Sequence, residues 1–158
     1  MIGFGQLTMI PDDNFEQRLI QLGYDNILDD YVATANINSV TFLDVSGESI
    51  TDLTGIEDFT ALDTLYCYTN QLTSLNVNNN TALTNLECGY NQLTNLDVSN
   101  NTALTTLYCH SNQLTSLDLS RATALTYLLC ATNQLTNLDV SQNTALTYLY
   151  CGNNQLTN

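Results

Sequence analysis

The sequence predicts an α/β solenoid, a right-handed superhelix of short coils, on the basis of a repeat and its internal spacing. Residues 81–101, TALTNLECGYNQLTNLDVSNN, recur in closely similar form from positions 60, 102, 123 and 144, with one period of 21 residues. Every copy follows the pattern L-x-x-L-x-C-x-x-N-Q-L-T. Several near-identical copies in a row make chance agreement implausible.

This spacing is the signature of a leucine-rich repeat, in which each coil buries its leucines against the next. The strand of each coil is expected at the third to fifth repeat positions, stacked in parallel on its neighbours. Because side chains alternate along a strand, Leu86 and Cys88 should point inward, and Asn85 and Glu87 outward on the concave face. The segment TNLDVSNN contains poor helix formers, which predicts an extended or turn-like convex side.

An N-terminal capping helix is predicted within residues 11–23. Asp13 and Glu16 form a D-x-x-E capping pattern, and Gly23 is placed to end the helix. Its apolar stripe consists of Phe15, Leu19 and Leu22. Such a helix covers the leucines that the first coil would otherwise expose.

The chain is therefore divided into three parts. Residues 1–10 are interpreted as a leader or the remnant of a secretory signal peptide, with a short packed or disordered leader as the alternative. Residues 11–39 are the helical cap and a connector, in which Ile27, Leu28, Tyr31 and Val32 are available to pack under the cap. Residues 40–158 are the solenoid, with one divergent repeat of 22 residues, then 21-residue repeats, the last incomplete.

The composition argues against several partners and sites. Sixteen acidic residues against two basic ones give a net charge of −14 over 158 residues. That balance repels phosphate backbones and anionic lipid, and no apolar run approaches a membrane span, so neither nucleic acid nor membrane insertion is expected. The Asp- and Asn-rich residues 25–30 lack the alternating ligands of a calcium loop and are interpreted as a solvated turn.

Three columns of equivalent repeat positions are interpreted as structural. Cys88 and its equivalents match no metal or redox spacing, so a reduced packing ladder is favoured over a chain of thiolate ligands. Asn91 and its equivalents are expected to bond turn backbone groups and one another. Asp97 and its equivalents are expected to cap convex turns, with a calcium ladder as the alternative.

The outward face of the strands holds the candidate binding residues. Seven of the nine tyrosines lie in the repeats, all on or beside this face. Tyrosine supplies large, rigid contact area to recognition surfaces, whereas cross-strand pairing is the structural alternative. Tyr66, Tyr108 and Tyr150 are expected to form a central stripe. The full set of candidate ligand-binding residues is Tyr66, Tyr68, Glu87, Tyr90, Tyr108, His110, Tyr127, Tyr148 and Tyr150.

The sequence predicts no enzyme, metal or cofactor. It has one His, its cysteines are expected to be buried, and it lacks nucleophile-elbow and phosphate-loop patterns. Asp44 and Glu87 lie two coils apart, roughly a glycosidase-like separation, but a shallow sheet supplies no cleft to raise the pKa of one carboxyl group.

Two segments resemble known bacterial proteins. Residues 40–59 contain an I-x-D-L-x-x-I segment similar to the repeats of internalin-like surface proteins. The P-D-x-N-F-E-Q helix followed by Cys-containing repeats resembles leucine-rich repeat proteins of Bacteroidetes-type bacteria. The resemblance implies a secreted or cell-surface protein that recognises another protein through its concave face. Tyrosine-rich stripes would equally suit a glycan.

A structural role is the competing hypothesis. Near-identical coils suit a spacer or a self-assembling element of a larger adhesin. No polar cap follows Leu156, a feature expected of a truncated piece, and the uncapped edge would allow a homodimer.

Overall fold

The computed structural model describes residues 5–157, which form two sheets. The small antiparallel sheet contains β1 (Leu7–Met9) and β2 (Tyr31–Ala33), and the helices are α1 (Asp13–Gln21), α2 (Thr34–Ile37) and a 3-10 turn (Ile56–Asp58). The large parallel sheet contains β3 (Phe42–Asp44), β4 (Thr64–Tyr66), β5 (Asn85–Glu87), β6 (Thr106–Tyr108), β7 (Tyr127–Leu129) and β8 (Tyr148–Tyr150). None of the helices within residues 5–157 has the length and apolar character required to cross a membrane.

Each coil adds one strand to the large sheet in sequence order. Leu65 pairs with Leu86, and Leu86 with Leu107, so equivalent repeat positions stand side by side. These leucines are fully buried, because alternation along the strand turns them into the coil interior. The predicted leucine-rich repeat solenoid with a parallel sheet is confirmed.

The convex side is extended and turn-like, as predicted. Leu96 and Val98 are buried, and Asn76 forms a parallel bridge with Asp97 of the next coil. Asp97 accepts the Ser99 N–H at 2.9 Å, and this bond, followed by that of the Ser99 hydroxyl, lowers the pKa of Asp97. The next two coils repeat the backbone contact. The acidic column therefore caps the convex turns.

An asparagine column ties each coil to the preceding one. The Asn91 Oδ1 accepts the Leu72 N–H at 3.0 Å, and the Nδ2 donates to the carbonyls of Cys67 at 3.0 Å and Cys88 at 3.1 Å. Leu72 and Cys67 belong to the preceding coil. The predicted backbone bonding is confirmed. The expected bonds between stacked amides are absent within residues 5–157, because backbone groups already engage each amide.

A second asparagine column, which the sequence analysis did not single out, lies on the convex side. Asn80, Asn101 and Asn143 are buried. In the coil of residues 102–122, the equivalent position is occupied by the buried Ala122. The Asn101 Nδ2 donates to the carbonyls of Val77 at 3.0 Å and Asn80 at 2.9 Å, both in the preceding coil. Side-chain amides therefore fasten the stack on both of its sides.

The N-terminal helix has a different cap from the one predicted. Asp12 is the N-cap residue, and its Oδ1 accepts two backbone N–H groups of the first turn at 3.0 Å. Its Oδ2 accepts from Thr51, which fastens α1 to the first repeat. The predicted capping box of Asp13 and Glu16 is wrong, because Glu16 is buried and accepts the backbone N–H groups of residues 29–31.

The connector packs differently from the expectation. Ile27, Leu28 and Tyr31 are exposed, and only Val32 of the four residues named for packing is buried. Instead, β1 pairs with β2, and Ile10 behind it is fully buried. The division of the chain after residues 10 and 39 stays a prediction, and residues 1–4 of the predicted leader lie outside the described residues.

The repeat cysteines form an inward ladder of free thiols. The first four are fully buried, and Cys151 is partly exposed. Burial raises the pKa of Cys67 to about 12 and places the pKa of Cys88 and Cys109 well above the ordinary thiol value. Inward placement is therefore as predicted, and the thiols act as small apolar side chains.

We predict that Asn112→Ala lowers the free energy of unfolding by about 2–4 kcal/mol, since it leaves buried backbone N–H and carbonyl groups without a hydrogen-bond partner. The Asn112 Oδ1 accepts the Leu93 N–H at 2.9 Å, and the Nδ2 donates to the Cys88 carbonyl at 3.0 Å. Denaturant unfolding would measure the loss. Gln113→Ala, at the exposed neighbouring side chain, is the control, and equal losses in both variants would contradict the role of the column.

We also predict selective thiol reactivity. At about pH 8, iodoacetamide should label Cys151 before the other four cysteines, because only the accessible thiolate is nucleophilic. Peptide mapping by mass spectrometry would give the order, and guanidinium-unfolded protein would provide the reference for full labelling. Native-state labelling of Cys88 as fast as Cys151 would show that the interior is open.

Candidate functional site

The candidate site is the outward side of the large sheet, which we call the strand face. It consists of the first and third residues of β3 to β8 and the side chains just beyond those strands. All nine predicted binding residues lie on it or at its margin. The expected stripe of Tyr66, Tyr108 and Tyr150 is interrupted, because Glu87 and Leu129 stand between its members in the strand register.

One aromatic cluster occupies the N-terminal end of the strand face. The rings of Phe42 and Tyr66 meet edge to face with centroids 5.4 Å apart, and Tyr68 lies 6.5 Å from Tyr66. Strand pairing brings the first two together, since Phe42 begins β3 and Tyr66 ends β4. Such geometry fixes the rings and leaves about half of Phe42 exposed.

His110 and Tyr90 form a second pair at the margin of the face. Their ring centroids are 4.9 Å apart in an edge-to-face arrangement. Gly89 makes room for the imidazole, because a Cβ there would lie 2.6 Å from His110 Cε1. Partial burial lowers the pKa of His110, which favours the neutral ring.

A pocket of about 320 Å³ occupies the C-terminal half of the strand face. The rings of Tyr127 and Tyr148 lie 5.9 Å apart at an interplanar angle of 30°, and Tyr108 and Leu129 complete the lining. Three neighbouring strands supply these four side chains. Tyr127 and Tyr148 remain 46% and 49% exposed, so a ligand could cover them further.

Carboxylates lie on the other half of the strand face. Asp44 and Glu87 belong to β3 and β5, and Tyr66 on β4 stands between them in register. Partial burial, and then the charge of Asp44, raises the pKa of Glu87. Burial, Glu87 and Asp44 likewise raise the pKa of the Tyr66 hydroxyl. The Asp44 Oδ1 accepts the Ser46 N–H at 3.0 Å and its hydroxyl at 2.6 Å.

A cluster of carboxylates elsewhere has the spacing of a metal site. Oxygen atoms of Asp13, Glu16 and Asp30 lie within 4.8 Å of one another. Glu16 already accepts backbone N–H groups of residues 29–31 at 3.0–3.1 Å. These bonds hold the connector against α1 and explain why Glu16 lies close to Asp30.

The predicted binding set omitted three side chains that complete its clusters. Phe42 pairs with Tyr66, Leu129 lines the pocket, and Asp44 raises the pKa of Glu87. Each occupies the same outward column as a predicted residue. These three side chains could have been predicted from their repeat positions, which are shared with predicted binding residues, but not from their residue types.

Comparison with known proteins finds that the chain is similar to internalins. No family model matches the sequence. Internalin J of Listeria monocytogenes serotype 4b (strain F2365) is 45% identical over 70 residues, which is 44% of this chain and 8% of that protein.

Two solved structures are similar over most of the chain. The functional domain of InlJ from Listeria monocytogenes, which includes a cysteine ladder, matches 100% of this chain and 50% of its own at 30% identity and a TM-score of 0.54. The internalin InlF of Listeria monocytogenes strain 4b F2365 matches 95% of this chain and 46% of its own at 28% identity and a TM-score of 0.88. This chain thus spans about half of either solved structure. The shared repeat, the stacked parallel strands and these relatives identify the chain as an internalin-like leucine-rich repeat protein.

Proposed function

We propose that the chain is a non-catalytic binding module that recognises a protein, or a glycan, on its strand face. The observation that supports this most is the distribution of aromatic side chains. All seven repeat tyrosines lie on or beside one face of the solenoid. The core does not require this arrangement, because leucine and cysteine fill the inward positions.

Cross-strand pairing does not account for the whole arrangement. Tyr127 and Tyr148 pair with each other and remain about half exposed. Tyr90 is 58% exposed, although its backbone has a φ of +53°, a conformation unfavourable for a bulky residue. Large exposed rings already held by neighbours are suited to binding, since little side-chain freedom is left to lose.

The carboxylates support binding better than catalysis. Asp44 and Glu87 are separated by the strand that carries Tyr66, and both lie on an open sheet. Glycoside hydrolysis needs an acid and a base on opposite sides of one bond in an enclosed site. We further propose that the chain acts in secreted or cell-surface form, which rests on its internalin-like character.

Self-association is a second candidate function. Leu149 in β8 is 40% exposed, whereas the equivalent Leu128 in β7 is fully buried. A second copy of this chain that paired with β8 would cover Leu149. Light scattering tests this: a mass that rises with protein concentration supports a homodimer, and a constant monomer mass contradicts it.

We predict that Tyr108→Ala weakens ligand binding by about tenfold or more, since buried tyrosines dominate binding energy at interfaces. Cell-surface protein extracts and glycan arrays would be probed with the native chain, with Tyr108→Ala and with Tyr66/Tyr108/Tyr150→Ala. Tyr31→Ala is the control, because it removes an exposed tyrosine outside the repeats. Circular dichroism melting should show matched folding. Partners retained equally by all variants would contradict the proposal.

A further inference from the structure

We infer that the strand face accepts an extended, positively charged protein segment. An apolar or aromatic side chain of the segment would enter the pocket lined by Tyr108, Tyr127, Leu129 and Tyr148. A Lys or Arg side chain would meet Glu87. This inference rests on the proposed binding function and specifies the chemistry of the ligand.

The pocket provides a place for one side chain. Its lining is three tyrosine rings and the Leu129 side chain, and its volume is about 320 Å³. Leu129 stands in the outward column where neighbouring coils carry Tyr108 and Tyr150. An aliphatic side chain at this point, between rings, gives the pocket an apolar floor. Apolar and aromatic groups gain most from burial against such a surface.

Glu87 has no cationic partner within the described chain. The sequence contains two basic residues, Arg18 and Arg121. The Arg18 Nη1 lies 3.5 Å from Glu48, and its Nε donates to the Asp44 carbonyl at 3.0 Å. Arg121 is exposed in a convex turn. Within residues 5–157, the Glu87 carboxylate also accepts no hydrogen bond from a side chain or the backbone.

The surroundings of Glu87 favour the binding of a cationic side chain from a ligand. Partial burial, together with the charge of Asp44, raises the pKa of Glu87, which shows that its ionised form is poorly compensated. A Lys or Arg side chain placed there would stabilise the ionised form and gain a charge-assisted hydrogen bond. Neighbouring tyrosine faces would add cation–π attraction.

The spacing of the two features suits one extended segment. Glu87 lies on β5, and the pocket is centred on β7, two strands further along. Adjacent strands are about 4.8 Å apart, so the features are separated by roughly 10 Å. An extended chain advances about 3.3 Å per residue, which places the two ligand side chains two to four residues apart once side-chain reach is included.

The charge of the whole chain supports the same ligand class. A net charge of −14 attracts basic segments at a distance and repels acidic ones. Anionic glycans would meet the same repulsion. A neutral glycan could stack on the tyrosines but would leave Glu87 without a cationic partner.

The test uses a phage-displayed library of random peptides of about twelve residues, selected on the immobilised protein. We expect enriched peptides with Lys or Arg two to four residues from an aromatic or large aliphatic residue. The best synthetic peptide would then be titrated calorimetrically. Glu87→Gln should weaken its binding about tenfold, as should Tyr127→Ala. Glu87→Gln should still fold, because it removes a poorly compensated charge.

Asp118→Asn is the matched control, since it removes the same charge from the convex side. Asn76 accepts a turn N–H at the equivalent position of its own coil, so the amide that replaces the Asp118 carboxylate should preserve the turn.

Peptides without basic residues, or equal binding losses for Glu87→Gln and Asp118→Asn, would overturn the inference. A selective loss with Tyr127→Ala would then leave the strand-face proposal intact. Binding unchanged by Tyr127→Ala would contradict that proposal itself. If the chain bound neutral glycans on the arrays and selected no peptides from the library, the inference that the ligand is a protein segment would be overturned.

Discussion

The structure depends on the repeated bonding of one coil's side-chain amides to the backbone of the coil before it. At two places in the coil of residues 60–80, buried backbone groups bond to a buried asparagine side chain of the next coil. Asn91 satisfies one turn of the preceding coil, and Asn101 satisfies the other. Because an unpaired buried backbone group is costly, these bonds restrict neighbouring coils to one register. The parallel sheet follows from that register.

A fixed register separates the residues that build the fold from those that distinguish one coil from another. Inward apolar positions of the regular coils carry leucine, cysteine or valine, because any change of volume there disturbs two neighbours. Outward positions experience no such constraint. The column that runs from Asp44 through Glu87 to Tyr150 therefore holds acidic, aromatic and aliphatic side chains in one line. Recognition chemistry could vary there without any loss of core packing.

Sequence periodicity was sufficient to predict the strands, the inward cysteines and the Asn91 column, because each depends on spacing that repeats along the chain. It was insufficient for Asn101, which lies in a polar run that resembles a solvated turn and is buried only once coils stack. The N-terminal cap was also missed in detail. Glu16 and Asp12 bond to segments far from them in sequence, and no local pattern encodes such partners. On the strand face, the repeat positions predicted where the tyrosines lie. The pairing of their rings was not predictable, because it depends on side-chain orientations that the sequence does not encode locally.

The same stacking that fixes the core also determines what the strand face can bind. The rings of Tyr127 and Tyr148 stand on two adjacent strands, β7 and β8, that are hydrogen-bonded to each other, so strand pairing brings the rings together before a ligand arrives. Order of this kind lowers the entropy lost on binding. The carboxylate of Glu87 is half-buried on the same sheet and has no counter-charge within the described chain. Under the proposed binding function, a surface that combines an open aromatic pocket with an acid lacking a counter-charge would discriminate by charge as well as by shape.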